Sequence, residues 1–154
     1  PKHVQQFLAE NHLRWDSLGE FLALQVSLED LGEKSGNRRA GILARALDAA
    51  NAYFLEHNKS PQRKAGEMGT RGSHYYLALF WARAVAAQED DRELAGRFAP
   101  VAQRLNDSKA LILGELTDVQ GSPVDIGGYY RPDPNLTLAA MRPCATLNEI
   151  IDNV

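Results

Sequence analysis

A mainly α-helical fold, an irregular multi-helix bundle, is predicted by three observations. Apolar residues recur at three- and four-residue steps from Leu18 to Val119. Capping residues and glycines punctuate that pattern at helix-length intervals. Strand-like composition is confined to one short extended, proline-rich segment near residues 123–131.

Lys2 to Asn11 reads as a first short helix, with Pro1 suited to its entry because the first N–H groups need no intrahelical partner. Asp16 is the candidate N-cap of the second, in which Leu18, Phe21, Leu24, Leu28 and Leu31 form the apolar stripe and Gly36 supplies the stop. Asn37 or Arg38 starts the third, with Leu43, Leu47, Ala50 and Phe54 on one face to about His57. Ser73 is the expected cap of the fourth, which carries Tyr76, Leu77, Phe80, Trp81 and Val85 and ends in the acidic run Glu89-Asp90-Asp91. A helical turn is expected over Arg92 to Gly96. Pro100 then falls in the first turn of a helix whose face is Val101, Leu105, Ser108, Ile112, Leu116 and Val119, ending near Gly121, with the polar run Asn106 to Ser108 as its least helical part. SPVDIGGYYRPDPN, after Gly121, holds three prolines and two glycines and reads as turns around one strand in need of a partner. Two short helices close the chain, around Leu136 to Met141 and from Thr146, the expected N-cap, to Asp152.

At 154 residues the chain is long enough for one core, and 44% hydrophobic with 24% charged residues is ordinary globular composition. A net charge of −3 argues against a nucleic-acid binder. The single cysteine, Cys144, excludes an internal disulfide and makes a reducing cytoplasmic setting the default. No apolar run reaches membrane-spanning length and no secretion signal opens the chain. Its start at Pro1 rather than Met favours a piece of something longer.

Lys59 to Trp81, KSPQRKAGEMGTRGSHYYLALFW, is the most informative stretch. Pro61, Gly66, Gly69 and Gly72 lie among Lys59, Arg63, Lys64, Arg71 and His74, just ahead of an amphipathic helix. Backbone N–H groups and fixed cations gathered in this way suit an anion, although a solvated basic linker has the same composition. Neither GxGxxG nor GxxxxGK[ST] occurs, and Gly127-Gly128 reads as turn geometry. His3, His12, His57 and His74 fall in no metal-ligand spacing.

Six blocks carry a resemblance: HVQQFLAENHLRWDSLGEFLAL, SPQRKAGE, RGSHYYLALFWA, RFAPVA, PVDIGGYYRPD and AAMRPCATLN. In this order they resemble the carboxy-terminal segment of the monomeric NADP-dependent isocitrate dehydrogenases. One departure is Gly69-Thr70, where the family pattern has Asp-Asn.

The resemblance implies that residues 1–154 are a single segment of the smaller, cofactor-contacting domain, part of a larger α/β domain in an intact, monomeric enzyme. That enzyme converts isocitrate to 2-oxoglutarate with NADP and Mg²⁺ or Mn²⁺. It further implies that His3, Arg14, Trp15, Asp16 and Arg63 contact the cofactor, with His3 and Arg63 at the 2′-phosphate. The chemistry suits them, since a phosphate dianion pairs with a guanidinium fork and an imidazole donor. Ordinary readings stand beside these roles: His3 as a solvent-facing polar residue, Asp16 as an N-cap, Trp15 as a core anchor. Catalytic residues and metal ligands are expected upstream, leaving none here. Separated from its partner, Val124 to Tyr130 is expected to be an orphan strand that drives self-association, and the piece alone is expected to be inactive. The competing reading is a stand-alone, non-enzymatic helical interaction module on the same scaffold.

Overall fold

A computed structural model describes residues 2–154, so the proposed role of Pro1 lies outside the described residues. Eight α-helices and no strand occur among them. They are α1 (Lys2–Glu10), α2 (Leu18–Ser35), α3 (Arg38–Glu56), α4 (Thr70–Ala87), α5 (Arg92–Asp107), α6 (Lys109–Asp118), α7 (Pro134–Met141) and α8 (Ala145–Asp152).

α4 is the central element and is buried around most of its circumference. Leu47 and Phe54 of α3, Tyr75 and Leu79 of α4, Leu105 of α5, Ile112 of α6 and Ile150 of α8 meet in the main core. Ile42, Ala46, Val85 and Leu94 form a second cluster, and Phe7, Ile126 and Ala140 a third under α1. The α2–α3 hairpin is tight because two glycines face each other: a Cβ on Gly32 would lie 3.0 Å from the Gly41 backbone nitrogen. Gly36, at φ 68°, makes the turn between them, and the Asn37 side chain accepts from the Ala40 N–H to start α3.

The α2 stripe is narrower than its sequence pattern. Phe21 is buried and Leu18 and Leu28 partly so, whereas Leu24 and Leu31 stay exposed at its flank.

Three boundaries differ from the sequence expectation. α4 begins at Thr70, and Ser73 is buried inside the helix instead of capping it. The reason is tertiary: the Thr70 N–H donates to Leu13 O at 2.8 Å and its hydroxyl reaches Trp15 O at 2.7 Å. α5 runs unbroken through Pro100 and stops at Ser108. It starts at Arg92 because Asp91 accepts from the Leu94 N–H and pairs with Arg39 of α3 at 2.8 Å. Finally, Cys144 Sγ rather than Thr146 accepts from the Leu147 N–H at the start of α8.

Residues 123–131 form no strand and are not an orphan. The Val124 N–H donates to Leu8 O at 3.0 Å, Asp133 N–H to Ile126 O at 2.7 Å, and Ile126 is buried against Phe7. These contacts use α1 and α7 as partners where the sequence led us to expect another strand. Within this segment Tyr130 stands out in solvent, 95% exposed.

Candidate functional site

Three segments converge on one edge of the bundle: α1, the link 11–17 and the loop 57–69. His3 on the first turn of α1 meets Trp15 edge to face, with ring centroids 5.8 Å apart. Three residues on, and so on the same helix face, Gln6 donates to Arg63 O at 2.8 Å. α1 thereby joins the link carrying Arg14-Trp15-Asp16 to the loop carrying Arg63.

Two polar atoms in this cluster are buried with no partner among the described residues: His3 Nδ1 and Arg14 Nε. Buried polar atoms are nearly always paired, so an orphan donor calls for an explanation. Both can donate, and an anionic oxygen is the partner they fit. Trp15 is 48% exposed, which removes it from the core, and its indole N–H donates to Glu20 at 3.0 Å. Asp16 Oδ1 accepts from the Leu18 N–H at 3.0 Å, but the N-cap of α2 is Ser17, so the expected cap is displaced by one residue. The Arg63 side chain is exposed, as is that of Lys64.

The other cations of the glycine-rich stretch have structural employment. Arg71 is buried, donates to Asn11 and Ala140, and lies 5.7 Å from the Phe7 ring centre; that desolvation lowers its pKa. Lys59 lies over the Tyr76 ring at 4.3 Å. His74 stacks edge-on against Phe21 at 5.0 Å and pairs through Nε2 with the Ser17 hydroxyl at 2.9 Å. Its apolar surroundings lower its pKa, with Glu20 opposing the shift.

The sequence expectation overlooked a polar hub beside this cluster. His12, fully buried, reaches Gln62 O through Nε2 at 2.8 Å and Gln120 Oε1 through Nδ1 at 3.0 Å. The only hint in the sequence is a histidine in a short link between two helices, and nothing marks Gln120 as its partner.

A cleft of about 510 Å³ between α2 and α3, lined by Gln25, Glu29, Arg45 and Asp48, shares no residue with the cluster. Among the described residues no three His, Cys, Asp or Glu side chains gather closely enough to hold a metal ion. No helix among them is long and apolar enough to cross a membrane.

The relatives of this all-helical unit, with its unpaired donors on one edge, are proteins named as NADP isocitrate dehydrogenases. It is 55% identical over 154 residues to isocitrate dehydrogenase (NADP) 2 of Mycobacterium tuberculosis, covering 100% of this chain and 21% of that protein. It is 57% identical over 148 residues to isocitrate dehydrogenase (NADP) of Azotobacter vinelandii, covering 96% and 20%. The Colwellia maris isocitrate dehydrogenase (NADP) 2 is 56% identical over 151 residues, covering 98% and 20%. The family model described as monomeric isocitrate dehydrogenase matches residues 1–152, and the chain belongs to that family. It spans about a fifth of the length of these relatives.

Proposed function

We propose that this chain is the carboxy-terminal segment of an enzyme that oxidatively decarboxylates isocitrate to 2-oxoglutarate, and that it supplies the 2′-phosphate side of the NADP cleft. The observation that carries the reading is the pair of orphaned donors, His3 Nδ1 and Arg14 Nε, on an edge shared with half-exposed Trp15 and the Arg63 loop. NADP, when bound, accepts the hydride. His3, Arg14 and Arg63 bind its phosphate by charge and hydrogen bonding, and Trp15 offers an apolar surface beside them. Asp16, which bonds the first N–H of α2, is available to ribose hydroxyls approaching that helix start. The substrate and the divalent ion, Mg²⁺ or Mn²⁺, belong to residues outside this segment. A cytoplasmic enzyme working as a single chain is the setting this implies.

The test is Arg63→Ala in the intact enzyme, with Michaelis constants compared for NADP and NAD. Loss of one charge-assisted phosphate contact, about 1.5–3 kcal/mol, corresponds to roughly one to two decades for NADP with little change for NAD. Equal effects on both cofactors would remove Arg63 from the phosphate site.

A further inference from the structure

We propose that Gln120 and His12 are positioning residues for NADP, holding the loop 62–67 in the shape that presents Arg63. The inference rests on the cofactor reading above, and extends it to two side chains that touch no cofactor.

The loop between α3 and α4 has no regular secondary structure, so its shape must come from specific anchors. Three bonds lie within it: Gln62 N–H to Met68 O at 2.8 Å, Glu67 N–H to Lys64 O at 3.1 Å and Lys64 N–H to Glu67 Oε2 at 3.2 Å. The rest come from outside. Gln120, just beyond α6, accepts the Gly66 N–H at 2.6 Å and donates from Nε2 to Glu67 O at 3.0 Å. These two bonds determine which end of its amide is oxygen, because the reversed amide would set N–H against N–H and oxygen against oxygen. His12 sets Nδ1 3.0 Å from that oxygen and Nε2 2.8 Å from Gln62 O; both partners are acceptors, so the ring donates to one or both of them.

Arg63 sits between the two anchored points, Gln62 on one side and Gly66-Glu67 on the other. Gly66, at φ 92°, reverses the chain where few side-chain-bearing residues could. His12 is fully buried, so its ring cannot drift, and it transmits the position of the α1–α2 link to the loop. The same link carries Arg14 and Trp15. One hub thus sets the spacing between the two halves of the proposed phosphate site. Charge-assisted contacts weaken steeply with geometry, so a loosened loop forfeits affinity without losing a ligand.

The experiment uses the full-length enzyme carrying Gln120→Ala, with Gln120→Met as a second variant that keeps side-chain length should the first fold poorly. Michaelis constants for NADP and NAD are measured for each, for Arg63→Ala, and for the Gln120/Arg63 double variants. The expected result is an NADP constant raised by about tenfold with the NAD constant within about twofold, and no further loss when Gln120→Ala is added to Arg63→Ala. Faster amide hydrogen exchange at Gly66 should accompany it. An equal rise for both cofactors, or full additivity with Arg63→Ala, overturns the proposal and leaves Gln120 a purely structural residue. If Arg63→Ala discriminates between the cofactors and Gln120 variants do not, the positioning role alone fails. If Arg63→Ala itself does not discriminate, the phosphate reading fails and takes this proposal with it.

Discussion

Arg71 holds Asn11 twice, donating to its side-chain oxygen at 2.9 Å and to its backbone oxygen at 2.7 Å. Asn11 is left-handed, at φ 50°, where α1 ends and the link to α2 begins. A third bond from the same guanidinium reaches Ala140 O of α7 at 2.7 Å. One buried cation therefore ties α4 to both α1 and α7. Only a forked, multi-donor head makes these bonds together.

Arg71→Lys is accordingly expected to destabilise the protein by about 1.5–3 kcal/mol, because a single ammonium cannot reach all three oxygens. Urea unfolding of the intact protein measures it. A midpoint within error of the parent would show that the fork is dispensable.

Gly69 offers a second test. A Cβ there would stand 2.8 Å from Leu13 O and 3.3 Å from His12 Nδ1, against backbone and a fully buried ring. Gly69→Ala should push the link 12–14 away and cost about 1–3 kcal/mol, as overpacking does. On the cofactor role proposed above, a weaker grip on NADP is expected with it, since Arg14 and Trp15 ride on that link. Unchanged melting and an unchanged NADP constant would show that the link yields freely.

Tyr75 joins two helices through its hydroxyl, which donates to Leu105 O at 2.6 Å near the end of α5. Burial, and to a lesser degree Tyr76, raise its pKa to about 12. The neutral phenol is thus favoured by folding, and its contribution is fully present below pH 10 and lost as pH rises from there toward about 12. Tyr75→Phe should remove part of that alkaline loss and cost about 1–3 kcal/mol at neutral pH by leaving a buried carbonyl unpaired. A Phe variant with the parent's alkaline profile would count against the assignment.

His74 should act at the other end of the pH scale. Desolvation on the side packed against Phe21 lowers its folded pKa, although the residue as a whole stays exposed, so the unfolded chain binds the proton somewhat more readily. Stability from this site is complete above the ordinary value of 6.5 and declines as pH falls through the lowered one. Glu20, the facing carboxylate, blunts the loss. His74→Gln should flatten the decline in unfolding midpoint just below pH 6.5, and an identical slope in both proteins would contradict it.

Much of the fold was legible because it is local. Asn37 and Gly36 do what their side-chain oxygen and its missing Cβ suggest, and Leu47, Ala50 and Phe54 are buried at the expected spacing. Where the reading slipped, a distant partner had overruled a local preference. Pro100 lies mid-helix at an exposed position, and α5 continues through it because Ala102 and Leu105 beyond it are buried in the core. Thr70 displaced Ser73 as the start of α4 because Leu13 and Trp15 offer it carbonyls.

The site divides in the same way. Family membership, and with it the nomination of His3, Arg14, Trp15, Asp16 and Arg63, could be read along the chain because six blocks of residues stand in one order. Which cations are free was decided by tertiary structure. Arg71 and Arg63 are equivalent as letters, yet one is enclosed by carbonyls and the other left in solvent. Nor does any local pattern join His12 to Gln120, 108 positions apart. Helix type and cap chemistry depend on neighbours within a turn or two, which a sequence displays directly. The pairing of a buried imidazole with an amide depends on how α1, α6 and a glycine loop come to rest together, and that is settled only when the chain has packed.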